Sequence, residues 1–205
     1  MIRVRTVGRN AFDTECARLW DMVRRRFPPH LVVGIRSGGW WVAEAMRAAA
    51  TPAGVAFLPL TFRRPTTGTK EHSRLFRLAL RHLPYLVLDA LRRIEYYAVT
   101  LPRCRSVREG GHRLTATADP AEMAAIRTAA GTLPPNARVL VVDDSLDSGA
   151  TLWSVVTTLR GELPADAVIQ TAAFTVLGPS PIVRADFYLY HRINCRFPWS
   201  YDFHG

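Results

Sequence analysis

Residues 139 to 151 read VLVVDDSLDSGAT. Asp143 and Asp144 are adjacent carboxylates at the end of an apolar run, and Asp147 opens a short turn, Asp147-Ser148-Gly149-Ala150-Thr151. A small-residue turn that leads into a helix offers backbone N–H groups, two hydroxyls and the positive end of the helix dipole, which together cradle an anion such as a phosphoryl group. Paired acids just ahead of that cradle accept hydrogen bonds from sugar hydroxyls or hold a hydrated Mg²⁺. Phosphate at one end and hydroxyls at the other suit a ribose 5-phosphate. Each residue taken singly also fits an ordinary strand-to-helix turn with an N-capping Asp or Ser. The ordered set is what points to a ligand.

These residues need a strand before them and a helix after. Val139 to Val142 are apolar and mostly β-branched, as in a strand buried on both faces of a parallel sheet, and Leu152 to Leu159 follow with helical spacing. A second segment repeats the arrangement. Leu31 to Ile35 form another buried-strand run, Arg36-Ser37-Gly38-Gly39 make a turn, and Trp40 to Ala50 have the Ala content and apolar spacing of a helix. Paired glycines let backbone approach a ligand closely, and Arg36 can donate to phosphate oxygens in a fork.

The 139–151 segment resembles the signature of the type I phosphoribosyltransferases: four apolar residues, two acids, a short apolar stretch, then D-T-G-x-T, with Ser148 in place of the usual Thr. The resemblance implies that Asp143 and Asp144 contact the ribose hydroxyls of 5-phosphoribosyl-1-pyrophosphate (PRPP) with Mg²⁺, and that Asp147, Ser148, Gly149, Ala150 and Thr151 hold its 5-phosphate. It also implies that Asp147 manages the proton on the acceptor base. The turn 36–39 is similar to the family's pyrophosphate loop, with the basic residue one place further from the glycines, so Arg36, Ser37, Gly38 and Gly39 are candidates for that role. The family's flexible loop after the next strand makes Arg63, Arg64 and Lys70 candidates for contacting pyrophosphate, although solvated charges in a loop suit the same residues.

The C-terminal stretch is similar to that of bacterial purine, xanthine-guanine or hypoxanthine-type members, whose tails carry a Pro-Trp pair near a hood over the base. By this resemblance Phe197, Trp199 and Val176 are base-side candidates, with Phe197 and Trp199 equally suited to covering a sheet edge. One departure stands out. Purine enzymes place a Lys at the end of the penultimate strand, whereas residues 174–179 here read FTVLGP. The acceptor is then either not a 6-oxopurine, or is read by backbone and by Arg184 or Arg192.

The implied fold is α/β, a parallel-sheet type I phosphoribosyltransferase domain over 1–205, with a flexible loop and insertion at 62–113 and a small C-terminal hood at 178–205. Asp13–Arg26 reads as a first helix capped by Asp13 or Thr14, residues 55–61 as the second core strand, and residues 120–130 as a short helix. Ala167–Leu177 and Ala185–Tyr190 read as the last two core strands. Residues 74–100 carry a helical apolar stripe broken at Pro84, where a new helix or a kink is expected. With Arg77, Arg81, Asp89, Arg92 and Arg93 inside it, the stretch is too charged to span a membrane. A dimer-packing arm, a hood over the site and a basic face for membrane or RNA all suit it, and packing against self is favoured.

At 205 residues, 48% of them hydrophobic, the chain can bury an α/β core without disulfides. Three scattered cysteines and a charged N-terminus without an apolar stretch suggest reduced thiols and a cytoplasmic protein. The net charge of +10 suits a polyphosphate substrate and equally a nucleic acid. The leading expectation is phosphoribosyl transfer to a purine-like base in purine salvage, by a homodimer using Mg²⁺. The alternatives are a nucleotide-sensing regulator binding RNA or DNA, and transfer to a non-purine acceptor in a specialised pathway.

Overall fold

Strand β2 (Leu31–Arg36) and strand β5 (Arg138–Leu146) lie side by side at the centre of a six-stranded sheet of order β4-β3-β2-β5-β6-β7. The computed structural model describes residues 2–36, 38–50, 54–63, 83–109, 117–179 and 181–204. From β2 the chain proceeds outward through β3 (Ala56–Arg63) to β4 (Thr117–Ala118), which pairs antiparallel. From β5 it proceeds the other way, in parallel, through β6 (Val168–Val176) and β7 (Phe187–His191). The strand order therefore reverses between β2 and β5, and a parallel sheet binds its ligand outside the carboxyl ends of the strands at such a reversal.

The alternation of side chains along the central strands builds two cores. Val32, Leu140, Val142, Ala172 and Phe174 face helices α1 (Arg9–Arg26) and α2 (Gly38–Ala50). Leu31, Val33, Val139, Val141 and Ala173 face helices α5 (Pro120–Ala130) and α6 (Ala150–Arg160). Val139 to Val142 are all 0% exposed, the two-sided burial their composition predicts.

Two boundaries differ from the sequence expectation for physical reasons. Helix α1 begins a turn earlier than Asp13, behind Gly8 and without a side-chain cap. Burying Phe12 on the same stripe as Cys16, Leu19, Trp20 and Val23 draws that turn into the helix, and Thr14 donates to the Asn10 carbonyl from inside it. Helix α2 begins at Gly38, so both glycines belong to its first turn.

The sequence reading omitted a small second sheet, in which β1 (Arg3–Thr6) pairs in parallel with β8 (Ile193–Arg196). This pair stands apart from the six-stranded sheet, and β8 lies in the C-terminal segment 178–205 expected as the hood. Part of the 74–100 stretch lies outside the described residues. From Pro84, which caps the new helix as expected, the chain runs through α3 (Tyr85–Glu95), a π-helical turn (Tyr96–Thr100) and α4 (Leu101–Arg108). Ion pairs clamp this insertion to the hood. Arg92 donates to both carboxylate oxygens of Asp202 at 2.8 and 2.7 Å, while the fully buried Arg196 reaches Asp202 at 2.9 Å and Asp89 at 2.7 Å.

Candidate active site

The carboxyl end of β5 delivers Asp143 buried and Asp144 half-buried, and the chain then turns through Asp147, Ser148 and Gly149 into α6. Gly149 sits at φ +78°, a left-handed conformation that L side chains rarely adopt. A Cβ there would also lie 2.9 Å from the Val183 carbonyl oxygen. The turn is held on both sides: Ser148 accepts the Ala150 N–H on its hydroxyl at 3.3 Å, and its carbonyl accepts the Ile182 N–H at 2.9 Å. Asp147 is exposed, whereas Ser148, Gly149 and Ala150 are buried and Thr151 is half-buried.

Across the strand reversal, Gly38 at the start of α2 packs so tightly on the Asp144 carboxylate that no Cβ fits between them. Gly39 is pressed in the same way against the Val142 carbonyl and the Asp143 Cα. A Cβ on Gly39 would collide with fixed backbone, whereas one on Gly38 would displace the Asp144 side chain. Ser37 lies outside the described residues. Arg36 is half exposed and pairs with Glu122 of α5 at 3.2 Å, while Glu122 also accepts the Thr61 backbone N–H. Of the loop cations, Arg63 ends β3 opposite Thr117, and Arg64 and Lys70 lie outside the described residues.

The paired acids titrate abnormally. Burial pushes Asp143 well above the usual carboxylate range, and the neighbouring charges of Asp144 and Asp147 add to the rise. Burial also raises Asp144, against the opposing pull of hydrogen bonds from Asp143 and from the Trp199 side chain. Asp143 accepts the Asp144 backbone N–H at 2.9 Å. Two buried carboxylates this close ionise together only when a cation or hydrogen-bond donors compensate them.

A cavity of about 210 Å³ opens beside Asp143, and residues 145–152 form one of its walls. Glu95, Val99, Thr100, Arg103 and Cys104 of the insertion form the facing wall. The insertion is fixed there by the Tyr96 hydroxyl, which donates to the Leu177 carbonyl at 3.2 Å, and by Ile2, Tyr96 and Leu177 packing together. Pairing of residues so far apart in the chain leaves no trace in local spacing, so these wall residues escaped the sequence reading.

The base-side candidates separate. Phe197 is 4% exposed and lies in the core between Phe12, Phe174 and Trp199, so packing within the protein occupies its ring. The expectation that it stacks on a base is corrected by this burial. Trp199 is half-buried, lies parallel to Phe197 at 4.8 Å and reaches Asp144 through its side chain. Its indole, with the exposed Trp41, also lines a separate cleft of about 500 Å³ between α1, α2 and the tail. Val176 is buried, and its carbonyl accepts the Arg192 N–H at 2.7 Å. Arg192 has φ +58°, one of the two non-glycine residues in the left-handed region among those described.

Among the described residues, no helix is long and apolar enough to cross a membrane, and no cluster of three metal-binding side chains is present. Asp143 and Asp144 offer two adjacent carboxylates, a donor set that suits a cation keeping its waters and taking further oxygens from a bound polyphosphate.

No protein-family model matches the sequence, and no curated protein matches it. Solved structures do. A purine phosphoribosyltransferase from Pyrococcus horikoshii Ot3 superposes with a TM-score of 0.57 at 16% identity, over 98% of this chain and 95% of that one. The Helicobacter pylori xanthine-guanine-hypoxanthine phosphoribosyltransferase gives 0.54 at 13% identity, over 94% and 92%. A hypothetical protein from Neisseria gonorrhoeae solved with bound ppGpp gives 0.55 at 13% identity, over 97% and 90%. Together with the strand reversal, the paired acids and the left-handed turn, these superpositions over nearly the whole length show that the chain has the type I phosphoribosyltransferase fold.

Proposed function

We propose that the protein transfers the 5-phosphoribosyl group of PRPP to a ring nitrogen of a purine-like base and releases pyrophosphate, acting in the cytoplasm as a homodimer in purine salvage. The observation that carries this reading is the meeting of Gly38 with Asp144 at the strand reversal, beside the left-handed turn at Gly149. One turn suits pyrophosphate, the other suits the 5-phosphate, and the acids between them face the ribose.

In this reaction the bond from the anomeric carbon to pyrophosphate breaks, its electron pair leaving with pyrophosphate, as the base nitrogen forms its bond to that carbon. Positive charge develops on the ribose, and ionised Asp143 and Asp144 stabilise it. Asp147, exposed at the mouth of the turn, takes the proton that the base nitrogen sheds. The first turn of α2 and Arg36 bind and orient the pyrophosphate, with Ser37, Arg63, Arg64 and Lys70 assigned to the same group by position in the sequence. Mg²⁺ held by Asp143 and Asp144 would neutralise the departing pyrophosphate.

One observation favours a second reading. The Neisseria structure with bound ppGpp has the same fold. A regulator that senses a nucleotide and binds RNA or DNA through a surface of net charge +10 is the alternative. A third possibility, transfer to a non-purine acceptor, draws support from FTVLGP standing where purine enzymes carry Lys. The test is a panel of purines, pyrimidines and azoles incubated with PRPP and Mg²⁺, with pyrophosphate release measured. Release with a purine supports the leading reading, and release with an azole or pyrimidine alone supports the third. No release with any acceptor, together with salt-sensitive nucleic-acid binding, replaces the enzyme with the regulator.

A further inference from the structure

Arg103 belongs to neither ligand turn, yet it lines the same cavity as Asp147, Ser148 and Thr151. Val99 and Thr100 precede it by four and three residues, so one helical face bears all three. The π-helical turn at Tyr96–Thr100 sits immediately before α4, and an extra residue in a helix rotates everything after it by about 100°. That rotation sets which face of α4 meets the phosphate turn. The face is anchored from the other side, because Tyr96 donates to the Leu177 carbonyl and Leu177 and Gly178 both donate to the Leu146 carbonyl at the entrance to the turn. Glu95, eight residues before Arg103, lines the same cavity.

We propose that Arg103 is a phosphate-positioning residue, a cation that the insertion contributes to the 5-phosphate cradle, so that the insertion selects phosphorylated ribosyl donors over unphosphorylated ones. The proposal rests on the PRPP-binding reading above and adds to it a ligand from outside both turns. A guanidinium facing a cradle of backbone N–H groups gives a terminal phosphoryl group charge-assisted hydrogen bonds from the open side. Arg103 is exposed, so its replacement leaves the fold intact.

The test is calorimetric titration of the whole chain, with Mg²⁺ present, using ribose 5-phosphate and, separately, inorganic pyrophosphate. Wild type is compared with Arg103→Ala, with Arg103→Lys, and with Arg105→Ala as a control for general charge on the same helix. Arg103→Ala is expected to weaken ribose 5-phosphate about tenfold or more. Pyrophosphate should stay within about twofold, Arg105→Ala should leave both ligands nearly unchanged, and Arg103→Lys should recover part of the loss. Equal weakening by Arg103→Ala and Arg105→Ala, or no weakening by either, overturns the role of Arg103 and leaves the PRPP reading standing. Failure of wild type to bind ribose 5-phosphate, pyrophosphate or PRPP overturns both.

Discussion

The Trp199 side chain lies near the Asp144 carboxylate, which places the C-terminal tail beside the second of the paired acids. Burial raises that acid, and the indole favours its ionised form and partly offsets the rise. Trp199→Phe keeps a ring on Phe197 and removes the donor. Its loss should raise the titration of the acid pair and move the acidic limb of the rate-against-pH profile upward. An unchanged limb in the variant would show that the indole serves packing alone.

Phe197 gives the contrasting case. Its ring packs against Phe174 at 5.1 Å and Trp199 at 4.8 Å. Phe197→Ala should cost about 3–5 kcal/mol by opening a cavity. That lowers the melting temperature by roughly 6 °C or more. The loss should also appear without any ligand, which thermal denaturation of the apo-protein measures.

Gly149→Ala combines a left-handed φ of +78° with a Cβ 2.9 Å from the Val183 carbonyl oxygen. The strain of roughly 1–2 kcal/mol falls on the turn itself. Binding of ribose 5-phosphate should drop about tenfold or more, while inorganic pyrophosphate, which the proposed function gives to the other turn, should bind as before. Titration of both ligands checks the split.

Asp143 is raised above its ordinary range, so the folded chain holds a proton that the unfolded chain releases more easily. The stabilising, protonated form is fully populated below the ordinary carboxylate range and is lost as pH climbs through the folded value. Asp143→Asn removes this dependence. The variant's melting temperature in the absence of cations should match wild type in acid and exceed it at neutral pH, the gap opening as pH rises. Its activity should fall at the same time. A constant difference across pH would contradict the assignment.

Asp202 behaves in the opposite sense. Burial works to raise it, but hydrogen bonds and charge from Arg92 and Arg196 outweigh burial and hold it at about 2. Its stabilising ionised form is complete above the ordinary carboxylate range and is lost as pH falls towards about 2. Asp202→Asn leaves the buried Arg196 with Asp89 as its remaining carboxylate and should cost roughly 3 kcal/mol. Because Asp202 also holds Arg92 of the insertion, proteolysis should reach residues 83–109 faster in the variant.

The central strands, the turn at 147–151 and helix 120–130 were legible in the sequence because local signals specify them: a β-branched run, adjacent acids, and a proline behind a capping Asp. Asp119 accepts the Ala121 and Glu122 N–H groups as that spacing implies. Strands β1 and β8 were not legible, because each is four residues long, carries charge, and acquires its pattern only by pairing with the other. Glu122 as partner of Arg36, and the insertion wall at Arg103, were invisible for the same reason. Phe197 misled because an aromatic beside Pro-Trp reads alike whether it faces a ligand or a core.

The parallel pairing of Arg3 with Ile193 joins residues 190 positions apart. Closing so wide a loop is entropically slow, and the central sheet can form without it. During synthesis the first strand waits for its partner until residues 193–196 have left the ribosome. The hood therefore completes last, and the indole reaches Asp144 only once the rest of the molecule has condensed.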